Sequence, residues 1–476
     1  MNRQEQPQRV HFLLSKLEQI VGPEGLVSAP EDKRQYDTDW LKKWQGDSCV
    51  VVRPATTLQV SQVMRLCYEN QTPVVTQGGN TGMSGGATPD GSGAQVLLSL
   101  SRMNKIREVD ALNNSMCVEG GVILAQVQKA AEQVQRYFPL SLGSEGSCTI
   151  GGNLATNAGG IAVLRYGNMR DMALGLEVVL PDGRIWNGLR ALRKDNTGYD
   201  LRDLFIGSEG TLGVITAAVL KLFPRLTTQA TAWVGASSMS ALLHMLSVLY
   251  EQCGQRLVAF EMMSAEALDL VLQHVPASNS PLQGQHAFHA LIELADTHTD
   301  SLTEMLETCL EQGVEKGYID DAILCMSLSQ RQELWKIREG ISEAQVRAGH
   351  CVKHDIALPI SALDEFVVQA SAAVSALSPG LRLINFGHMG DGNLHFNVLL
   401  PGGLGSAEIK TWTQTLNKAV HGLVHQYQGS ISAEHGVGQL RRDELRIYKN
   451  PVELELMMLL KQTLDQNQIM NPGKLL

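Results

Sequence analysis

The stretch VVTQGGNTGMSGGATPDGSG, residues 74–93, decides the fold. A short apolar strand, predicted over 74–76, leads directly into a loop with seven glycines between positions 78 and 93. Glycine lets a large anion approach the main chain closely, and a nest of backbone N–H groups binds phosphate without a lysine. The loop has neither the lysine of a P-loop nor the G-x-G-x-x-G spacing of a Rossmann nicotinamide site. Taken alone, a strand followed by glycines is also typical of a tight turn.

A second glycine-rich stretch, SEGSCTIGGNLATNAGG, covers residues 144–160. So many Gly, Asn, Ser and Thr residues cannot form an apolar core by themselves. They can surround a long polar ligand with backbone and amide hydrogen bonds. Two such loops in one unit favour a dinucleotide site over a pair of turns.

Length and composition limit the possible classes of protein. The chain has 476 residues, enough for two to four domains, and 44% are hydrophobic, which is typical of a folded soluble protein. The net charge of −10 argues against a nucleic-acid partner. The eight scattered cysteines exclude CxxC sites and indicate a reducing compartment, so we expect a cytoplasmic protein. We expect no signal peptide and no membrane span, because no 18-residue apolar run exists.

The hydrophobic pattern predicts four segments, namely an N-terminal helical segment over 1–47, a first domain over 48–226, a second over 227–430 and a C-terminal segment over 431–476. In the second domain the pattern predicts an antiparallel sheet with helices on one face. The predicted strands are 49–53, 74–76, 175–180, 213–223, 229–235, 257–262, 287–295, 351–357, 382–388 and 393–400. The predicted helices are 8–22, 58–70, 122–135, 239–252, 265–273, 299–316, 330–348 and 405–427, with a helical tail over 439–476.

Seven of the thirteen histidines lie between positions 350 and 435. Two of them, His388 and His395, flank a Gly-Asp-Gly sequence at 390–392 that predicts a hairpin turn. Alternation then places Asn393, His395 and Asn397 on one face of the second strand, and the turn can bring His388 opposite His395. A lone histidine on a strand is usually structural. Two imidazoles plus one carboxylate, for which Glu434 is the candidate, would make a three-ligand site for Zn²⁺, Mn²⁺, Co²⁺ or Fe²⁺.

The two glycine loops resemble the FAD-binding domain of the vanillyl-alcohol-oxidase type. Residues 207–215, GSEGTLGVI, resemble a third segment of that family, and residues 469–474, IMNPGK, resemble its C-terminus. The resemblance implies an α+β fold with a two-part FAD-binding domain and an antiparallel-sheet cap domain that binds the substrate. It also implies a C-terminal helical segment that returns to the FAD site. It implies non-covalent FAD, because positions 77–86 hold no His, Cys or Tyr. The cofactor-binding residues it implies are Gly78, Gly79, Asn80, Thr81, Gly82, Gly85, Gly143, Ser147, Gly151, Gly152, Asn153, Thr156, Asn157, Gly159, Gly160, Gly210, Ile215 and Asn471.

The histidine segment resembles the D-2-hydroxyacid dehydrogenase branch of that family. The resemblance implies that His388, His395 and Glu434 bind a divalent metal, with zinc as the first choice, and that His435 is the catalytic base, in contact with the substrate. The match is strongest to the branch members that act on D-2-hydroxyglutarate. It implies that Arg338, Ser342, Lys353 and Asn397 bind the substrate. Without the resemblance, Arg338 would be interpreted as an exposed helix charge beside Glu339.

Several alternatives stay open at this point. D-lactate, D-malate or another D-2-hydroxyacid could be the substrate, and a metallohydrolase with purely structural glycine loops is the alternative from a different class. The chain has no sequence motif for a second redox group. We therefore expect its electrons to pass to a partner such as electron-transfer flavoprotein or to a quinone-like acceptor. A homodimer is possible, and the sequence does not specify the metal.

Overall fold

The computed structural model describes residues 5–298 and 301–476, with side chains from residue 11 onward. The chain divides into two compact units. The first comprises the described residues up to Gly160 together with Gly167–Arg225 and Glu434–Leu476, and the second comprises Ile161–Tyr166 and Leu226–Ala433. The predicted boundaries at 226/227 and 430/431 lie one and three residues from those observed. The N-terminal segment belongs to the first unit.

Two sheets organise the first unit. In the smaller sheet, strands Ser48–Val52 and Val74–Gln77 both pair in parallel with Gln95–Ser99, and Leu26–Val27 pairs antiparallel at the edge. The larger sheet is antiparallel, in the order Ile106–Asp110, Ser115–Glu119, Val214–Lys221, Ala173–Val179, Ile185–Gly188. Strands Arg136–Tyr137 and Phe223–Pro224 form a short pair. The helices are Glu5–Val21, Pro30–Asp37, Thr57–Glu69, Leu124–Gln133, Ile150–Ala155, Met169–Met172, Arg202–Phe205, Arg442–Tyr448 and Pro451–Leu464.

One antiparallel sheet organises the second unit. Its strands follow the order Asp321–Leu324, Thr228–Ala236, Phe288–Asp296, Leu257–Ser264, Arg382–His388, Asn393–Leu399, with Cys351–Val352 and Asp355–Ala357 both on the last strand. The helices are Val163–Tyr166, Met239–Cys253, Ala265–His274, Leu302–Glu315, Leu328–Ala348, Leu363–Leu377 and Ser406–Gln426. The predicted start of one helix at 299–300 lies outside the described residues.

The prediction of helices on one face of this sheet is wrong. Neighbouring strand residues belong to two separate apolar clusters: Val234 packs with helices Met239–Cys253 and Leu363–Leu377, whereas Trp233 packs with Ala265–His274 and Leu328–Ala348. Strand Thr228–Ala236 is buried at every position from Ala230 onward. A strand that is apolar on both sides must be covered on both sides, so the sheet is the middle layer of three.

One local prediction also needs correction. The strand predicted over 351–357 is two short strands, because the His354 amide donates to the side-chain oxygen of Asn397, 3.0 Å away, and the ladder is interrupted there. The hairpin predicted from the Gly-Asp-Gly sequence is confirmed: its two strands pair antiparallel across a short 3-10 turn, Met389–Asp391, and Gly392 follows with a left-handed φ of 82°. The second glycine-rich stretch contains the short helix Ile150–Ala155.

One segment of the described chain has the length and composition of a membrane span. Ile360–Leu377 has a mean hydropathy of 1.3 over 18 residues. Its side chains at Leu363, Phe366 and Ala370 pack in the core of the second unit. The expectation of no membrane span stays a prediction.

Candidate flavin cleft and metal-binding face

A cleft in the first unit lies where its three glycine-containing segments meet. It encloses about 950 Å³, which is within the usual range for a cofactor site. The first glycine loop leaves the buried strand Val74–Gln77, and the second wraps the start of helix Ile150–Ala155. The residues that line the cleft are Thr76–Gly82, Ser84, Gly86, Ala87, Leu100, Thr149, Gly151–Asn153, Ala155, Thr156, Ser208–Gly210, Gly213–Ile215, His435 and Asn471.

Main-chain conformation shapes this cleft more than side-chain chemistry does. A side chain at Gly79 would collide with the backbone of Ser147 and Cys148. Three lining residues other than glycine have left-handed backbones: Asn80 with φ 54°, Glu209 with φ 52° and Asn471 with φ 46°. Such conformations cost roughly 1–3 kcal/mol each and cluster at functional sites. The cleft is therefore held open by backbone geometry that the surrounding packing enforces.

The cleft fits the flavin dinucleotide that the sequence predicts. Two buried side-chain atoms of its lining, Thr149 Oγ1 and Asn471 Oδ1, have no hydrogen-bond partner among the described residues. A Cβ at Gly82 would meet no described atom within 4 Å. Buried polar groups without partners are rare in folded proteins, and here they border open space. These residues would hold a long polar ligand by main-chain and amide contacts.

Twelve of the eighteen predicted cofactor-binding residues line the cleft. The other six, Gly85, Gly143, Ser147, Asn157, Gly159 and Gly160, are not part of the lining. Two of these six residues make other contacts within the first unit: Gly85 lies against the Trp44 ring, and the Asn157 side chain accepts the Arg170 amide at 2.9 Å. The sequence analysis did not identify Thr149 or Glu209. Glu209 lies inside the GSEGTLG segment, which was the available signal.

His435, the predicted base, lines the same cleft, and its segment is held by two side chains of the first unit. The Ser84 hydroxyl lies within hydrogen-bonding distance of the carbonyl oxygens of His435 and Gly436, at 3.0 and 3.1 Å. The Glu209 carboxylate accepts the backbone amides of Val437 and Gly438, both at 2.7 Å. Burial raises the pKa of Glu209, against these two hydrogen bonds, which lower it. The main chain at His435 is consequently fixed in the lining of the cleft that would hold the flavin.

In the second unit the structure brings His388 and His395 together. Their ring centroids are 5.6 Å apart, although His395 pairs with Phe386 in the strand register, not with His388. A carboxylate accompanies each ring: Glu261 Oε1 lies 2.7 Å from His388 Nδ1, and Asp355 Oδ1 lies 3.9 Å from His395 Nδ1. The sequence analysis identified neither carboxylate, because both come from distant strands.

This donor set fits a divalent metal. A metal-binding histidine usually donates its second ring N–H to a carboxylate, which fixes the tautomer and leaves the other nitrogen for the ion. The contact of His388 with Glu261 has that form. Glu434, the third predicted ligand, begins the last segment of the first unit. Its carboxylate lies 3.9 Å from His435 Nε2. The three-ligand site stays a prediction.

The residues predicted to bind the substrate differ in their burial and in their contacts. Arg338 is buried, so it is not an exposed helix charge, and its Nη2 lies 2.7 Å from Glu261 Oε2. Ser342, one turn along the same helix, is exposed. Lys353 is half-buried, in the break between the two short strands. Asn397 is buried and donates to Gln345 Oε1 at 3.0 Å while it accepts the His354 amide.

Comparisons with known proteins identify the family of this chain. Residues 49–188 match the family described as an FAD binding domain, and residues 226–475 match the C-terminal domain of FAD linked oxidases. The chain is 40% identical over 468 residues to the mitochondrial D-2-hydroxyglutarate dehydrogenase of Bos taurus, across 97% of this chain and 83% of that protein. It is 35% identical over 471 residues to a putative mitochondrial D-lactate dehydrogenase of Schizosaccharomyces pombe, across 96% of this chain and 88% of that protein.

The fold likeness extends to a solved structure of p-cresol methylhydroxylase with substrate bound. It has a TM-score of 0.75 and 16% identity, and covers 98% of this chain and 96% of that chain. The predicted α+β fold of the vanillyl-alcohol-oxidase type is confirmed, and the metallohydrolase alternative is wrong. The chain belongs to the FAD-linked oxidases and is an FAD-dependent D-2-hydroxyacid dehydrogenase.

Proposed function

We propose that this chain oxidises D-2-hydroxyglutarate to 2-oxoglutarate, with non-covalent FAD and one divalent metal, zinc as the first choice. The observation that supports the reaction most directly is the position of His435 in the lining of the flavin cleft. The substrate assignment is supported by the 40% identity to the bovine D-2-hydroxyglutarate dehydrogenase. FAD, when bound, supplies the hydride acceptor, and the metal would polarise the substrate hydroxyl.

The protein's own residues handle the proton. Oxidation of a 2-hydroxyacid removes the hydroxyl proton while hydride leaves C2. We assign the proton to the His435 imidazole, because it is the nitrogen base among the cleft's lining residues. Ser84 and Glu209 keep its backbone in place through hydrogen bonds to main-chain groups of residues 435–438. We also assign Asn397 to the substrate; its side chain donates to Gln345 and accepts the His354 amide, which fixes its orientation.

Selectivity for a second carboxylate is a separate part of the proposal. A site with buried cations rejects a substrate that leaves them unpaired. Glu261 already balances the charge of Arg338, so a monocarboxylic substrate does not leave that residue without a counter-charge. We assign the distal carboxylate to Arg338 and Lys353 together, with Arg338 as a directed N–H donor. D-Lactate is the second candidate, supported by the Schizosaccharomyces pombe relative.

A panel of D-2-hydroxyacids tests the substrate, with an artificial dye as electron acceptor and with or without a chelator. We expect kcat/KM for D-2-hydroxyglutarate to exceed that for D-lactate by about 10²-fold, since one charge-assisted contact contributes roughly 1.5–3 kcal/mol. Lys353→Met should reduce this ratio while D-lactate turnover stays close to that of the wild type. A wild-type preference for D-lactate, or equal losses on both substrates, would transfer the assignment to the second candidate.

The cofactor and the partners have their own tests. Acid precipitation should release the flavin into the supernatant, whereas yellow colour retained in the pellet would contradict non-covalent binding. Full activity in metal-free protein would contradict the metal site. Electron-transfer flavoprotein and a soluble quinone, each offered as the acceptor, distinguish the two proposed acceptors. The cytoplasmic location and the homodimer stay proposals, to be checked by fractionation and by the mass of the protein in solution.

A further inference from the structure

A single buried carboxylate in the second unit contacts two of the predicted site residues. Glu261 lies on strand Leu257–Ser264, opposite His388 in the register of the neighbouring strand, and only 1% of its side chain is exposed. Oε1 lies 2.7 Å from His388 Nδ1, and Oε2 lies 2.7 Å from Arg338 Nη2. We propose that Glu261 is a positioning residue that orients the metal ligand His388 and the substrate-binding Arg338 together. This inference rests on the function proposed above.

The contact with His388 determines which ring nitrogen faces the metal. A buried carboxylate is an acceptor only, so the short contact requires a proton on Nδ1. The neutral imidazole then has its lone pair on Nε2. Without the carboxylate, either tautomer is available and the ring can rotate. Losing such a partner typically weakens metal binding 10–100-fold.

The contact with Arg338 keeps that side chain in one place. Its guanidinium also lies over the Phe386 ring, 5.0 Å from the centroid, and the same ring lies 4.8 Å from the His395 ring. Arg338 Nε is buried and has no hydrogen-bond partner among the described residues. Because Glu261 supplies the counter-charge, Arg338 can stay charged while buried. Its Nε–H is then one of the donors that can serve a substrate carboxylate.

A second buried carboxylate on the same sheet provides the matched control. Glu293, on strand Phe288–Asp296, is also buried and pairs with an arginine of helix Leu328–Ala348: Arg331 contacts it at 2.8 and 2.9 Å. Its other strong donor is Trp335, at 2.9 Å, and no described histidine donates to it. Glu293→Gln thus removes a buried carboxylate that pairs with a more exposed arginine, 28% against 9% for Arg338, without affecting a predicted metal ligand.

The test is a titration of chelator-stripped protein with Zn²⁺, followed by calorimetry or a competing dye, for the wild type, Glu261→Gln, Glu261→Ala and Glu293→Gln. We expect Zn²⁺ affinity to fall about tenfold in Glu261→Gln, which keeps a neutral acceptor, and nearer a hundredfold in Glu261→Ala. Glu293→Gln should lower the melting temperature but leave Zn²⁺ affinity unchanged. Wild-type affinity in both Glu261 variants, or an equal loss in Glu293→Gln, would overturn the proposal.

The double variant Glu261→Gln with Arg338→Met separates positioning from simple charge imbalance. It removes the unpaired arginine, so stability should recover in part. We expect Zn²⁺ affinity to stay as weak as in Glu261→Gln alone, because His388 still lacks its carboxylate. Recovery of wild-type affinity would show that Glu261 only neutralises Arg338. Absence of Zn²⁺ binding in the wild type itself would instead overturn the metal part of the proposed function, and this inference with it.

Discussion

The two functional regions of this enzyme are built by different means. The flavin cleft of the first unit is shaped mainly by main chain: glycines that allow close approach and three left-handed residues other than glycine. The His435 segment is held there through its own main-chain groups, which bond to the Ser84 and Glu209 side chains. The polar face of the second unit is formed by charged side chains that constrain one another, with Glu261 between His388 and Arg338.

This difference predicts that the two regions are damaged by opposite kinds of substitution. In a site made of main chain, an added carbon atom does harm, because the neighbouring backbone cannot move away. In a site made of paired side chains, the loss of one partner does harm, because the other is left buried and uncompensated. His435 combines both kinds of construction, since it is a reactive side chain whose main chain is held by hydrogen bonds. The predictions below test this contrast, from the largest expected effect to the smallest.

The largest effect should come from His435→Ala. Loss of a positioned base typically lowers kcat by about 10²–10⁴-fold. Because the main chain of the cleft is unchanged, bound FAD and its absorption spectrum should stay as in the wild type. Steady-state kinetics across the pH range, together with the flavin spectrum, check this. An unchanged rate at every pH would remove His435 from the proposed role.

The second-largest effect is expected from a methyl group added to the first glycine loop. In Gly79→Ala the new Cβ would lie 3.0 Å from Cys148 Cα and collide with the Ser147 carbonyl. We expect a loss of about 1–3 kcal/mol in the free energy of unfolding and little bound FAD. Thermal melts and flavin content of the purified protein measure both.

Gly82→Ala is the matched control, because its Cβ would meet no described atom within 4 Å. The melting temperature of the FAD-free protein should not change. Weaker FAD binding in this variant would place the cofactor against Gly82. Normal FAD binding in Gly79→Ala would show that the loop tolerates side chains, and the contrast between the two regions would then be lost.

A smaller effect concerns the pH dependence of stability through Glu209. Burial raises the pKa of this carboxyl, so the folded chain keeps its proton to a higher pH than the unfolded chain, whose glutamates titrate near 4.3. Its contribution to stability is present below that value and is lost as the pH rises through the folded pKa. The melting temperature of Glu209→Gln relative to the wild type should therefore increase from pH 4 upward.

The exposed carboxylate Glu145, in the second glycine-rich stretch, serves as the control for loss of one negative charge. Thermal melts of Glu209→Gln, Glu145→Gln and the wild type across the pH series give the comparison. If the difference between Glu209→Gln and the wild type were constant with pH, the buried carboxyl would not be the source of the effect.

The smallest effect is expected at Lys474, a buried cation near the end of the C-terminal segment. Burial lowers its pKa to about 8, whereas an unfolded lysine titrates near 10.4. Between these values the unfolded chain binds more protons than the folded chain, so stability rises with pH in that window. Lys474→Met should remove this rise. Urea unfolding from pH 7.5 to 10 measures it, and an identical slope in both proteins would contradict the prediction.

Sequence patterns predicted helices and strands, but they did not identify the residues that contact one another across long distances in the chain. The alternation in residues 393–400 correctly placed Leu394, Phe396 and Val398 in the core, because a strand has a period of two whatever surrounds it. The same method predicted helices on one face of the sheet, although strand Thr228–Ala236 is apolar at both odd and even positions. A run without alternation indicates burial on both faces, and that signal was available.

The sequence by itself determined the glycine loops and the paired histidines around the Gly-Asp-Gly turn, because those depend on residue type and short spacing. Its resemblance to a known family implied the FAD-binding fold, the candidate base and the candidate metal ligands. Only the tertiary structure decided that Glu209 holds the His435 segment and that Glu261 lies between His388 and Arg338. Glu261 and His388 are 127 residues apart along the chain. No local periodicity links such positions. Strand register brings them together, and burial then makes their pairing necessary, since a lone carboxylate in the core would be too costly.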